Sequence, residues 1–360
     1  MRGRQGASVD YAASATYGRR DQAAGVEPRL VEPRGQLVAG RSGFVEGVRE
    51  HVEEAGERVG GSAHGGIFAT AEAGRLLALA QYSRPVATFR FVVADVFTDT
   101  PLEGNQLAIF TDAREIPDER LQPLAREIGF SETVFVYPAA GDGHARIRIF
   151  TPGTELPFAG HPVLGTAFVL GGPLQLEELR LETGRGIVPV RLERDGSRIV
   201  FGWMTQPAPT FEPFARADEL LDALEVRSEL PVELYDNGVR HVYVALGSAD
   251  EVAALRPDLG RLGELGDLGV NCFAGEGLRW KTRMFGIGVG VAEDPATGSA
   301  AGPLALHLAR HGRIAFGEEI EIRQGEEIGR PSRLHAMARS PQEIEVGGAA
   351  VVVARGEFRL

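Results

Sequence analysis

The sequence predicts an α+β protein made of two similar halves, in which the strands of each half wrap one central helix. In both halves, short strands lead into a glycine-containing turn, at residues 159–162 (AGHP) and 297–300 (TGSA), and then into one apolar helix. Both helices are too apolar and too rich in small residues for a surface helix, so other elements should enclose them. Prolines mark the crossover between the halves, at Pro207, Pro209 and Pro213.

Composition excludes several classes of function. A chain of 360 residues is long enough for two domains of about 150 residues each. A net charge of −12 argues against a general nucleic-acid binder, which would carry a basic face. The single cysteine, Cys272, excludes a disulfide framework, a thiolate-rich metal site and a mechanism with two opposed thiols. We find no membrane span or signal peptide in the sequence, and expect a cytoplasmic protein without a membrane partner.

Residues 1–86 differ from the rest of the chain. Up to residue 42 they are rich in Gly, Arg, Ala and Glu without a sustained period, which predicts disorder. Residues 44–59 have the spacing of a weak amphipathic helix, and residues 75–82 could add a helical turn or two. We therefore predict an N-terminal extension that is disordered or weakly helical and that carries no set of residues able to form a catalytic or binding site.

The first half, residues 87–205, begins with β-rich sequence near Thr88. Composition and turn signals predict strands over 89–97, 106–110, 132–137, 145–150, 176–182, 186–192 and 198–203. Helical spacing predicts a helix over 117–128 that ends at Gly129, and the apolar central helix over 163–170.

The second half, residues 206–349, has its central helix directly after Asp294-Pro295, because proline disfavours helical backbone at its own position and before it. This helix should run from Ser299 to Arg310. Further helices are predicted over 217–224, 250–256 and 261–265, and strands over 238–246, 279–285, 319–324, 334–339 and 343–346. A last strand over 350–353 is predicted, and the C-terminal strand near 350–360 can return to the first half.

The turns before the two central helices could bind an anion. A helix N-terminus presents unpaired backbone N–H groups and a partial positive charge, which suit a carboxylate or a developing oxyanion. Gly160 and His161 open the first helix, and Gly298 and Ser299 open the second. The alternative is ordinary helix capping by Asp294, Thr297 or Ser299.

Four side chains could carry the chemistry: Glu132, His161, Asp294 and Ser299. Glu132 enters a strand among apolar residues, where burial would raise its pKa and let it give as well as take a proton near neutrality. His161 begins a helix, whose dipole lowers the pKa of an imidazole and keeps it neutral. The alternatives are a surface strand-end glutamate and a turn histidine bonded to backbone.

Two other arrangements are disfavoured. His307 and His311 lie four residues apart on one helix, but no third ligand is evident, so we expect no metal and a helix end with a favourable cation. A Ser-His-Asp hydrolase could be formed from Ser299, His161 and Asp294. However, Ser299 lacks the G-x-S-x-G elbow that such a nucleophile needs.

Taken together, the motifs resemble the PhzF-like phenazine-biosynthesis isomerase family. The resemblance extends from about Phe89 to the C-terminus, with one departure at Gly286-Ile287. It is carried by DVF at 95–97, PLEGNQLA at 101–108, GFSET at 129–133, FTP at 150–152, ELPFAGHP at 155–162 and EDPATGSA at 293–300.

The resemblance implies a diaminopimelate-epimerase-like fold of two domains, each a curled, mostly antiparallel sheet around a central helix, with the site between them. It implies a homodimer and a proton-transfer isomerase without a cofactor, of the type that acts on trans-2,3-dihydro-3-hydroxyanthranilate. Carried over by motif, Glu132 is the acid/base and His161, Asp294 and Ser299 support it. We therefore expect an isomerase of a small carboxylate-bearing substrate. An amino-acid epimerase or racemase on the same fold, or a non-catalytic metabolite-binding protein, are the alternatives.

Overall fold

The computed structural model describes residues 87–360, and the predictions for residues 1–86 lie outside this range. The first half contains helices α1 (Asp118–Ile128) and α2 (Gly160–Leu174). Its strands β1 to β8 span Thr88–Val96, Asn105–Phe110, Glu132–Pro138, Ala145–Phe150, Glu155–Leu156, Glu178–Thr183, Gly186–Asp195 and Arg198–Gln206.

The remaining elements follow the crossover. Helices α3 to α6 span Ala217–Leu224, Ala249–Ala254, Leu259–Gly263 and Gly298–Arg310, and two short 3-10 turns span Ile287–Val289 and Glu326–Ile328. Strands β9 to β18 span Thr210–Pro213, Glu233–Asp236, Arg240–Ala245, Gly269–Glu276, Arg279–Gly286, Val291–Asp294, Glu319–Gln324, Ser332–Ser340, Glu343–Gly348 and Ala350–Arg359.

Strand pairing repeats in the two halves. In the first, β2 pairs parallel with β3, β3 antiparallel with β4, β4 parallel with β6, and β6, β7 and β8 pair antiparallel in order. In the second, β11, β12, β13, β15, β16 and β17 repeat this succession. The short strands β5 and β14 occupy matching places, immediately before α2 and α6. This repeat confirms the predicted α+β class with two pseudo-repeated, mostly antiparallel sheets.

The chain exchanges one strand between the halves. Strand β9, which follows β8 of the first half, pairs with β10 of the second, whereas β18, which follows β17 of the second half, pairs with β1 of the first along its whole length, from Thr88 opposite Arg359 to Val96 opposite Ala350. Strands β8 and β17 also pair with each other. The division into domains at residues 87–205 and 206–349 stays a proposal, which the repeated pairing supports.

Each central helix is buried by the strands of its own half. Helix α2 packs on β1, β7 and β8, and α6 packs on β16 and β17. Leu164 of α2 and Leu304 of α6 belong to one continuous hydrophobic core that contains residues of both helices. Burial of such a leucine stabilises the fold by about 1.5–3 kcal/mol, so the core holds the two helix N-termini in place. Among the described residues, no helix is long and apolar enough to span a bilayer.

The structure corrects several predicted boundaries and adds five strands. Helix α2 begins at Gly160 rather than at residue 163, because Pro162 lies in the first turn, where its missing N–H costs nothing. Strands β5, β9, β10, β12 and β14 were not predicted. The first six residues of β12 are all buried, so they show no alternation of polar and apolar residues that would indicate a strand.

Candidate active site

All six predicted site residues line one cavity. It lies where the N-termini of α2 and α6 meet β3 and β14, and it contains about 480 Å³ of space including its open mouth. The predicted residues in its lining are Glu132, Gly160, His161, Asp294, Gly298 and Ser299. Apolar side chains form another part of the wall: Leu156, Val239, Met284, Val289 and Val291. The cavity therefore combines proton-carrying groups with an apolar surface.

The two helix N-termini are in backbone contact at Gly160 and Gly298. A Cβ atom on Gly160 would lie 2.4 Å from the carbonyl carbon of Gly298 and 2.5 Å from the amide nitrogen of Ser299. A Cβ on Gly298 would lie 3.1 Å from backbone atoms of Gly160 and 2.9 Å from the ring of Phe97. Only glycine allows this approach, which brings the positive ends of two helices to one place.

Neither helix is capped by a side chain at this end. The N-cap residue of α2 is Ala159, which has no polar side chain, and Thr297 at the N-cap of α6 makes no side-chain cap bond. The Thr297 hydroxyl donates instead to Asp294 Oδ2 at 2.6 Å. The capping alternative is therefore wrong, and the first N–H groups of both helices can bind an anion in the cavity.

Glu132 and His161 lie side by side in the wall of the cavity. Glu132 Oε2 lies 3.3 Å from His161 Nε2, and neither atom has a hydrogen-bond partner within residues 87–360. Burial, and then the charge of Asp294, raises the pKa of Glu132 well above its usual value. Burial lowers the pKa of His161 to about 3, so the imidazole is neutral at physiological pH. Glu132 is therefore the group of this pair that can exchange a proton near neutrality.

Asp294 is held by three side-chain donors. Its Oδ1 accepts from Asn105 Nδ2 at 2.8 Å and from Ser131 Oγ at 2.9 Å, and its Oδ2 accepts from Thr297. Burial raises the pKa of Asp294 to about 6, and these three hydrogen bonds limit the rise. Asn105 Nδ2 also lies 3.2 Å from His161 Nδ1, so this one side chain contacts both Asp294 and His161.

The fall of kcat/KM at low pH, which is the acidic limb of the pH profile, should reflect protonation of the Glu132–Asp294 carboxyl pair and not of a histidine. Because burial and Asp294 raise the pKa of Glu132, we expect kcat/KM to fall with decreasing pH at a pH well above 4.5. Asp294→Asn removes the neighbouring negative charge, which lowers the pKa of Glu132 and should move this limb to lower pH. A pH profile of kcat/KM for both proteins checks this, and a limb that stays in place or moves upward would contradict it.

Ser299 has a partner that the sequence analysis did not single out. Its Oγ lies 2.9 Å from Nε2 of His241, a buried histidine of β11 that also lines the cavity. His161, by contrast, faces Glu132, so Ser299, His161 and Asp294 do not form the hydrolase constellation considered above. No sequence signal marked His241, because it lies 58 residues from Ser299 within an ordinary strand pattern. Asn105 and Ser131, the other two neighbours that the sequence analysis did not select, do lie in motifs that carry the family resemblance, at 101–108 and 129–133.

His307 and His311 acquire a third neighbour that sequence spacing could not show. Glu233 Oε2 lies 3.1 Å from His307 Nδ1 and 3.1 Å from His311 Nε2, so the expectation that no third ligand accompanies the pair is wrong. Arg310 also donates to Glu233 Oε2, at 2.6 Å. A cation would have to displace this guanidinium, which already neutralises the carboxylate.

Comparisons with known proteins agree with this architecture. Residues 94–356 match the family model described as phenazine biosynthesis-like protein, PhzC-PhzF. The chain is 52% identical over 276 residues to a trans-2,3-dihydro-3-hydroxyanthranilate isomerase of Pseudomonas aeruginosa, covering 75% of this chain and 99% of the relative. It is 49% identical over 275 residues to the enzyme of the same name from Pseudomonas fluorescens, covering 75% of this chain and 99% of that relative.

Solved structures show the same fold. A predicted epimerase from Pseudomonas aeruginosa superposes with a TM-score of 0.66 at 31% identity, covering 75% of this chain and 99% of the other. A PhzF-family protein from Bacillus anthracis gives a TM-score of 0.65 at 28% identity, covering 76% and 99%. A hydroxyproline epimerase from Agrobacterium vitis shares the fold alone, with a TM-score of 0.54 at 14% identity, covering 76% and 93%. The chain belongs to the PhzC-PhzF family of phenazine biosynthesis-like proteins, and it is a PhzF-type isomerase.

Proposed function

We propose that this isomerase converts trans-2,3-dihydro-3-hydroxyanthranilate by moving one proton between two carbons of the substrate, with Glu132 as the single acid/base. The observation that carries the proposal is the buried Glu132 carboxyl, with its raised pKa, beside a neutral His161 at two uncapped helix N-termini. The high identity to isomerases of this name supports the choice of substrate.

The substrate carboxylate would bind at the two helix N-termini. Gly160 and His161 from α2, and Gly298 and Ser299 from α6, offer backbone N–H groups, and Ser299 adds a hydroxyl. The same positive ends would stabilise the negative charge that develops as a carbon loses its proton. Asp294, with both oxygens engaged by donors, would fix the geometry of the Glu132 segment through Ser131 and raise the pKa of Glu132 by its charge.

The proposed reaction is balanced within the substrate and Glu132. The ionised carboxylate takes a proton from one carbon, the electron pair of that C–H bond spreads into the adjacent π-system, and the neutral acid returns the proton to another carbon. Glu132 ends as it began, so no net oxidation occurs and the step requires no cofactor. A raised pKa suits a carboxyl that acts first as a base and then as an acid, because Glu132 can then hold and release a proton near neutral pH.

The geometry favours a one-base isomerase over an epimerase. An epimerase that inverts an amino acid needs a second base on the opposite face of the carbon. His161 lies 3.3 Å from Glu132 and is a poor base at a pKa of about 3, and both oxygens of Asp294 already accept hydrogen bonds.

We also propose that the protein forms a homodimer, as the family resemblance implies.

Incubation with trans-2,3-dihydro-3-hydroxyanthranilate in heavy water tests the proposed function. We expect the protein as isolated to isomerise this compound without an added cofactor. We also expect at most one solvent deuterium per product, on a single carbon, because one carboxyl carries the proton. Mass spectrometry and proton NMR of the product measure both quantities. A substrate recovered unchanged, or inversion at one carbon without a shift of the double bonds, would contradict the proposal.

A further inference from the structure

His241 lines the cavity beside Ser299, and Asn271 lies behind His241. His241 is on β11 and Asn271 on β12, two parallel neighbours, and both side chains are buried, with exposed fractions of 1% and 2%. The three side chains form a chain of contacts. Asn271 Nδ2 lies 3.3 Å from His241 Nδ1, and His241 Nε2 lies 2.9 Å from Ser299 Oγ.

Two backbone carbonyl groups set the orientation of the Asn271 amide. Asn271 Nδ2 lies 3.2 Å from the carbonyl oxygen of Gly269 and 3.4 Å from that of Val242. A carbonyl oxygen only accepts hydrogen bonds, so the amide oxygen would be repelled by both carbonyl groups if it took the place of the nitrogen. Asn271 Nδ2 has two hydrogens for three acceptors, the two carbonyl oxygens and His241 Nδ1, but it cannot itself accept a hydrogen bond, so a proton on His241 Nδ1 would face a donor.

The orientation of Asn271 determines the tautomer of His241. Burial lowers the pKa of His241 to about 3, so the ring is neutral and has one N–H. Nδ1 faces a donor and must accept, which places the proton on Nε2. Nε2–H then donates to Ser299 Oγ. The serine oxygen is thus used as an acceptor, and its own proton has no acceptor within the described residues, although the hydroxyl lines the cavity.

We propose that His241 is a positioning residue, which directs the proton of the Ser299 hydroxyl into the cavity so that this hydroxyl donates to the substrate carboxylate. The proposal rests on the proposed function, because it names one donor to the carboxylate of that substrate. It assigns no proton transfer to His241, since its free nitrogen faces Asn271 and its other nitrogen already carries a proton.

Long-range nitrogen–proton NMR of protein labelled with 15N-histidine tests the tautomer. We expect His241 to show a protonated Nε2 and an unprotonated Nδ1 at neutral pH, with the signal assigned by its absence from His241→Leu. A protonated Nδ1 would overturn the proposal, because Ser299 would then donate to His241 and not to the substrate. This measurement needs no substrate and is independent of the reaction that the protein catalyses.

Binding of 3-hydroxyanthranilate, the aromatic analogue of the substrate, tests the role of Ser299 and His241 together. We expect His241→Leu and Ser299→Ala each to weaken binding about tenfold, as for one lost hydrogen bond to a charged group. The double variant should bind no more weakly than either single variant, because both changes remove the same donor. Independent losses that multiply to about a hundredfold would overturn the proposal.

A conservative variant and a distant histidine control for damage to the fold. Glutamine can place an amide N–H near the position of His241 Nε2, so His241→Gln should recover most of the affinity lost in His241→Leu. His335, which bonds Glu319 and lies outside this cavity, supplies the matched control, and His335→Leu should bind the analogue as the unmodified protein does. Equal weakening in His241→Gln and His241→Leu would overturn the proposal. Failure of the proposed function would appear separately, as absence of turnover in the unmodified protein.

Discussion

Replacing Glu132 by glutamine is expected to lower kcat by about 10⁴-fold, the upper end of the range for general acid–base catalysis. Glutamine keeps the size and shape of the side chain but can neither take nor return a proton. Glu132 is the group in the cavity whose carboxyl combines a raised pKa with an oxygen that lacks a partner within residues 87–360. Conversion of the substrate to the product, followed by NMR, measures the loss directly.

Binding separates a chemical defect from a structural one in this variant. We expect Glu132→Gln to bind 3-hydroxyanthranilate with unchanged affinity, since the helix N-termini that hold the carboxylate are not altered. The variant should not be less stable either, because it removes a carboxyl that burial and Asp294 disfavour in its ionised form. Glu127→Gln, at an exposed position of α1, is the matched control and should retain full activity. Near-full activity of Glu132→Gln would contradict the proposed mechanism.

Replacing Gly160 by alanine is expected to lower kcat/KM about 100-fold, because a displacement of about 1 Å in the site can cost this much. The new methyl group would lie 2.4 Å and 2.5 Å from backbone atoms of Gly298 and Ser299, which cannot rotate away as a side chain can. The two helix N-termini must therefore separate. Overpacking of this kind also costs about 1–3 kcal/mol of the free energy of unfolding, which thermal or denaturant unfolding measures.

Gly172 offers a matched control on the same helix. A Cβ at Gly172 would meet no atom within 4 Å apart from its chain neighbours and the backbone of its own helix, and the residue lies near the C-terminal end of α2. Gly172→Ala should leave activity unchanged, because Gly172 lies at the opposite end of α2 from the cavity. If Gly160→Ala retained the activity of Gly172→Ala, close approach of the helices would not be needed for catalysis.

Amphipathic and apolar patterns could be read from the sequence because they are local. The strands of alternating composition, the helix over 118–128 and the two apolar central helices were all predicted near their observed positions. Strand β12 was missed for the opposite reason. Its buried run at residues 269–274 has neighbours on every side, so burial left no period to detect.

The candidate site was predicted where short motifs carried it. Glu132, His161, Asp294 and Ser299 lie in turns and at element ends with recognisable composition, and the structure brings them to one cavity. The groups around them were not predicted. Asn105, 189 residues before Asp294, lies in a motif of the family resemblance, but its contact with Asp294 exists only in the folded chain, and His241, 58 residues before Ser299, is an ordinary strand residue until the sheet is assembled.

The sequence by itself determined which segments would be buried helices and strands, and which residue types could move a proton or bind an anion, because those properties depend on neighbours along the chain. Only the tertiary structure decided which groups meet and in which state of ionisation. Glu132 has a raised pKa because distant segments remove it from water and place Asp294 near it. The two helix N-termini act as one site because Gly160 and Gly298, far apart in the chain, permit backbone contact in the fold.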